Sequence, residues 1–118
     1  LPALAALAPP PAASTLGLVF YELATNATKY GSLSTNGRVG VTWRVEPTAA
    51  GETVVIDWTE IDGPPVKGPI EEGFGTGFVK RSIEYELSGT ASVQLEPAGL
   101  RWSISFPLQR NVQDGAGQ

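Results

Sequence analysis

Two pairs of strand-like stretches, each joined by a short turn, constrain this chain more than any other feature. Val39, Val41, Trp43 and Val45 alternate with polar or small residues, so Val39–Val45 is expected to be a strand with one buried face. Thr53–Glu60 reads as a second strand, with Ala49-Ala50-Gly51-Glu52 as the connection and an antiparallel hairpin as the simplest pairing. Ala91–Glu96 and Leu100–Leu108 repeat the arrangement around Pro97-Ala98-Gly99, with Leu100, Trp102, Ile104 and Phe106 alternating. Helical spacing appears in two other places. Leu16, Phe20, Leu23 and Ala27 draw an apolar stripe through Ser14–Tyr30, with Ser14 as N-cap and Gly31 where a left-handed C-terminal residue is wanted. Phe78, Val79, Ile83 and Leu87 do the same for Phe78–Leu87. The order helix, strand, strand, loop, helix, strand, strand predicts an α+β fold. Its expected form is a two-layer α/β sandwich, with a mixed, mostly antiparallel sheet and the helices on one face.

Composition narrows what such a fold can do. The 118 residues are enough for one domain, expected over 14–108, with 1–13 as a linker or trimmed edge and 109–118 as a flexible tail. The formal net charge of -4 argues against nucleic acid as a partner, since phosphate contacts need a Lys/Arg surplus. Cysteine is absent, which excludes disulfides, thiolate catalysis and Cys-ligated metals. Histidine is absent too, which excludes a His-based triad, a His metal site and a histidine phosphoacceptor within this chain. No apolar run reaches the roughly 18 to 20 residues of a membrane span, so no membrane contact by this piece is expected, and a cytoplasmic location is. The first residue is leucine and there is no methionine, so the chain is expected to be part of something longer. Nothing in it drives dimerisation, and a monomer is expected.

Three features carry candidate chemistry. Glu22, Asn26, Lys29 and Tyr30 fall at spacings of 4, 3 and then 1, along one polar edge of the first helix. A carboxylate, a carboxamide and an ammonium in line suit a magnesium–phosphate group, because Mg²⁺ prefers hard oxygen ligands and lysine offsets phosphate charge. The same stripe is also what a solvated helix face looks like. Ile61–Gly77 is a long loop with five glycines and three prolines, ending in Gly73-Phe74-Gly75-Thr76-Gly77 ahead of the second helix. Glycine-rich backbone at a helix N-terminus can cradle phosphate oxygens; it is equally compatible with a surface loop capped at Thr76. Asp57, Glu60 and Asp62 end the second strand before Gly63, where a carboxylate suits an exocyclic amine or simply a charged strand end.

Together these segments resemble the ATP-binding catalytic domain of bacterial sensor histidine kinases, in the GHKL (Bergerat-fold) superfamily, and most closely the HWE family. That family's N box reads H-E-L-x-x-N-A-x-K-Y-G-A-L-S, and Tyr21–Ser34 reads YELATNATKYGSLS. Its W-x-E followed by Gly and Pro is matched by Trp58-Thr59-Glu60 and Gly63-Pro64, and its G-F-G-[ST] by Gly73–Thr76. The resemblance spans about Leu16 to Leu108 and implies a Bergerat-type sandwich that binds Mg-ATP. It implies Asn26 as Mg²⁺ ligand, Glu22 acting through the metal or its water, and Lys29 and Tyr30 lining the nucleotide pocket. Glu60 would contact adenine, Gly63 would let the base approach, and Gly73, Gly75 and Thr76 would form the rear of a flexible lid over the triphosphate, with Phe74 and Gly77 beside them in the ATP site. The glycine content and few apolar anchors of Pro65–Gly73 predict that it is poorly ordered without nucleotide. The γ-phosphoryl would pass to a histidine on a separate dimerisation hairpin, with a response regulator downstream.

Three departures from the pattern bear on that reading. Tyr21 replaces the N-box histidine, and Gly77 stands where an arginine often follows the threonine. Asp62 replaces a small glycine and adds a second negative charge beside the nucleotide. Two like charges at about 4 Å repel by roughly 4 kcal/mol at an effective dielectric of about 20, so Asp62 either points away or weakens ATP binding. These departures define the alternative: a degenerate GHKL domain that binds no ATP and serves as a docking module of a histidine phosphotransferase.

Overall fold

In the computed structural model, which describes residues 10–49, 51–64 and 75–108, the two hairpins close into one four-stranded sheet. The chain runs α1 (Pro10–Lys29), a 3-10 turn (Ser32–Ser34), β1 (Arg38–Thr48), β2 (Gly51–Ile61), α2 (Thr76–Leu87), β3 (Thr90–Glu96) and β4 (Gly99–Pro107). The strand order is β1-β2-β4-β3. Each pairing is antiparallel, so among the described residues the expected mixed sheet is antiparallel throughout.

Register explains where the core lies. Val54, Ile56 and Trp58 of β2 stand opposite Phe106, Ile104 and Trp102 of β4. Successive side chains of a strand alternate faces, so all six point to the same side, and all six are buried. Val39, Val41, Trp43 and Val45 extend that face on β1, and Ala91 and Val93 on β3. An apolar sheet face of this size must be covered, since each such side chain returned to water costs about 1.5–3 kcal/mol. Both helices cover it: Ala12, Leu16, Val19, Leu23 and Ala27 from α1, and Val79, Ile83 and Leu87 from α2, join one core with the sheet. Phe20 stacks on Trp58, with centroids 6.2 Å apart. The opposite face is polar. There Asp57 accepts hydrogen bonds from Arg44 and Arg101, each at 3.1 Å. The Arg44 guanidinium is held above its ordinary pKa by Glu46 first and Asp57 second.

Several boundaries differ from the sequence reading. Helix α1 begins at Pro10 rather than Ser14, because prolines cost no hydrogen bond in a first turn and Ala12 gains burial there. Ser14 is therefore an exposed helical residue and not the N-cap. The stripe of α1 runs through fully buried Val19, with Phe20 at its margin. Helix α2 starts at Thr76, two residues before Phe78, and Gly75 takes the N-cap position expected of Thr76. Phe78 lies on the outer side of α2, 39% exposed. Gly31 has φ -109 and is not left-handed. The segment Pro65–Gly73, expected to be poorly ordered, lies outside the described residues, as do residues 1–9 and 109–118.

Candidate functional site

The polar edge of α1 and the start of α2 meet. Leu23 and Ala27 hold α1 on the core, which leaves Glu22 and Asn26 half-buried at its margin and Lys29 and Tyr30 exposed at its end. The Glu22 carboxylate lies directly against the backbone of Gly75: a Cβ built on Gly75 would come 2.1 Å from Glu22 Oε2 and 2.8 Å from its Cδ. Gly75 also has φ 78, in the left-handed region that a side chain resists, so two separate demands fix glycine here. Behind it Thr76 and Gly77 are buried in the first turn of α2. Glu22 thus faces the positive end of the α2 dipole, a favourable place for a carboxylate. Asn26 lies one turn along α1, on the same edge as Glu22.

A second corner lies at the other end of this edge, about 12 Å along the helix axis. It is built from the end of β2 and the turn after α1. Glu60 is 3% exposed. Its Oε2 accepts a hydrogen bond from the Trp58 indole at 3.0 Å, and its Oε1 accepts one from the Ser32 backbone N–H at 3.1 Å. Gly31 is needed for space rather than for its φ, since a Cβ there would lie 2.1 Å from Glu60 Oε1. Gly63 lies against the Ser32 backbone, 2.6 Å from Cα to a built Cβ. Asp62, between them, turns outward. It has φ 60, and its carboxylate pairs with Arg38 at 3.2 Å, both side chains about two-thirds exposed. Ser32 itself is 1% exposed, and its hydroxyl has no hydrogen-bond partner among the described residues.

The structure therefore brings Glu22 to Gly75, and Glu60 to Gly63 through the turn at Ser32. Asn26 and Thr76 sit on the same two helices at the first corner, and Lys29 and Tyr30 lead into the second. Gly73 and Phe74 lie outside the described residues. The sequence pattern does not show the part played by Ser32, and Trp58 enters it only as the first letter of the W-x-E match. The signal for Trp58 was available: residues two apart on a strand share a face, so an indole N–H two before a carboxylate on a buried face is placed to bond it. Nothing in the sequence marked Ser32, whose donor is the main chain. Among the described residues no cluster of three or more acidic, His or Cys side chains is arranged to enclose a metal. No helix is long and apolar enough to cross a membrane.

Comparison with known proteins adds an independent line. No protein-family model matches the chain. It is 35% identical over 103 residues to the blue-light-activated histidine kinases of Brucella ovis and Brucella canis, covering 86% of this chain and 21% of theirs. The protein of that name in Brucella anthropi is 35% identical over 99 residues, 83% of this chain and 20% of its own length. The similarity relates the chain to histidine kinases, and the chain spans about a fifth of the length of these relatives.

Proposed function

We propose that this chain is the ATP-binding catalytic domain of a sensor histidine kinase of the HWE type, with a Bergerat-type α/β sandwich. In this reading it binds Mg-ATP and donates the γ-phosphoryl to a histidine carried on a separate dimerisation hairpin. The observation that carries the reading is the contact of Glu22 with Gly75, which joins the N-box edge to the glycine-rich entrance of α2. The similarity to histidine kinases supports it.

Phosphoryl transfer asks a protein mainly for positioning and charge neutralisation, so such a domain needs no nucleophile of its own. Glu22 and Asn26 supply the hard oxygen donors that suit Mg²⁺, which needs only one or two protein ligands when phosphates and water complete its shell. The ion, when bound, offsets phosphate charge. The α2 N-terminus offers backbone N–H groups to a phosphate, but Glu22 already stands against it, so an anion is admitted there only when the carboxylate is neutralised. Lys29 and Tyr30, exposed at the end of α1, line the pocket beside the turn at Ser32, and Lys29 brings a positive charge there. Asp62, turned toward Arg38, keeps its charge away from the turn at Ser32.

Calorimetric titration with Mg-ATP tests the proposal. Binding in the micromolar to low-millimolar range is expected, and Asn26→Ala should abolish it while leaving the fold intact. Folded wild-type protein that releases no heat on titration would instead mark the chain as a docking module without ATP.

A further inference from the structure

The charges of α2 run against its own dipole. A helix favours acids in its first turn and bases in its last, and α2 has neither. Lys80 and Arg81 stand in its first half instead, and Glu84 and Glu86 in its last turn. The helix gains nothing from that order, so its use lies in what the helix faces. The other cations among the described residues have tasks of their own. Arg38 pairs with Asp62, and Arg44 and Arg101 hold Asp57 on the polar face of the sheet. Lys29 stands in the last turn of α1, where the dipole favours a cation, about 10 Å along the axis from Glu22. Lys80 and Arg81 make no ion pair among the described residues. They differ in direction. Lys80 follows Thr76 by four residues, shares its face and is half-buried. Arg81 is turned about 100° further round the helix and is exposed. Helical side chains lean toward the N-terminus, over the preceding turn. That lean brings the Lys80 ammonium within reach of the turn at Gly75 and Thr76, which Glu22 touches.

We infer that Lys80 contacts the phosphates of the nucleotide at the mouth of α2, as the cation that offsets Glu22. The inference rests on the nucleotide-binding reading. Mg²⁺ offsets only part of a triphosphate's charge, and the carboxylate against Gly75 adds to it, so a further positive group has a task at this corner. Lysine suits that task, being a compact charge on a flexible stem. Set a turn into the helix, it meets the anion without displacing the backbone N–H groups at the helix start.

The test is calorimetric titration with Mg-ATP at low and high salt, on the wild type, Lys80→Met, Lys80→Arg and Arg81→Met. Methionine keeps most of the stem and removes the charge. Lys80→Met should weaken binding by about 10-fold, the loss expected of one charged hydrogen bond, and its affinity should fall less steeply with salt. Lys80→Arg should recover most of the affinity, and Arg81→Met should bind as the wild type does. Circular dichroism checks the fold; should Lys80→Met not fold, Lys80→Gln decides by the same outcomes. Wild-type affinity in Lys80→Met would overturn the inference and leave nucleotide binding standing. So would equal losses in Lys80→Met and Arg81→Met, which would mean a diffuse field and not a contact. A folded wild-type chain that binds no Mg-ATP would overturn both readings.

Discussion

Ser32 carries a main-chain donor that is used and a hydroxyl that is not. The N–H bonds Glu60, whereas the buried Oγ has no partner among the described residues. An unsatisfied buried polar group costs about 1–3 kcal/mol. Ser32→Ala deletes that group and keeps the N–H, so it should raise stability by about 1 kcal/mol in chemical denaturation. A loss of stability would mean that the hydroxyl is bonded to an ordered water in solution. Asp62 presents a different residue-scale strain. Its φ of 60 is where glycine is at ease and where Asp or Asn is tolerated better than a branched side chain. Asp62→Val should cost about 1–2 kcal/mol, and Asp62→Asn should cost little, because the exposed pair with Arg38 is worth under about 1 kcal/mol. Equal losses in the two variants would show that the ion pair, and not the backbone, holds this position.

At the scale of elements, α1 offers the cleanest stability test. Gly17 sits exposed in mid-helix, and a Cβ there would meet nothing within 4 Å. Glycine in such a place is worse than alanine by about 0.5–1 kcal/mol, so Gly17→Ala should raise the urea midpoint by that equivalent with an unchanged slope. A fall would mean that Gly17 serves a contact outside the described residues. The same helix shows what a single sequence discloses. Leu16, Leu23 and Ala27 announce the buried stripe by spacing alone, and alternation in the strands announces which face of each is buried, while their register comes only from the pairing itself. Val19 and Phe20 are adjacent apolar residues, and only the position of the sheet decides that the first is buried and the second stacks on Trp58. The start at Pro10 was hidden for a similar reason: three prolines in a row resemble a linker until Ala12 is seen in the core. Gly31 was legible as special but for the wrong cause. A sequence cannot separate a glycine needed for its φ from one needed to let Glu60 approach, because the second demand comes from a residue 29 positions away.

At the scale of the whole molecule, the site joins elements distant in sequence, so a ligand there should stabilise the fold as a unit. A ligand at about a hundred times its Kd adds about 2.7 kcal/mol, which for a chain of this size corresponds to a rise of about 10 °C in Tm. Mg-ATP should produce that shift. The position of Glu22 sets its dependence on the metal. With the carboxylate against Gly75, a triphosphate meets a negative charge at the mouth of α2. Two like charges at about 4 Å cost roughly 4 kcal/mol at an effective dielectric of about 20, more than the binding gain above. ATP with EDTA should therefore leave the melting temperature unmoved, and magnesium should restore the shift. Glu22→Gln removes the repulsion along with a metal donor, so its smaller shift should persist in EDTA. An equal shift with and without magnesium in the wild type would mean that Glu22 does not gate the site. The chain contains no histidine, so none of these mixtures should form phosphohistidine until a partner hairpin is added. Acid-labile phosphate appearing on that partner with ATP, and not on this chain, is the result that joins nucleotide binding to transfer.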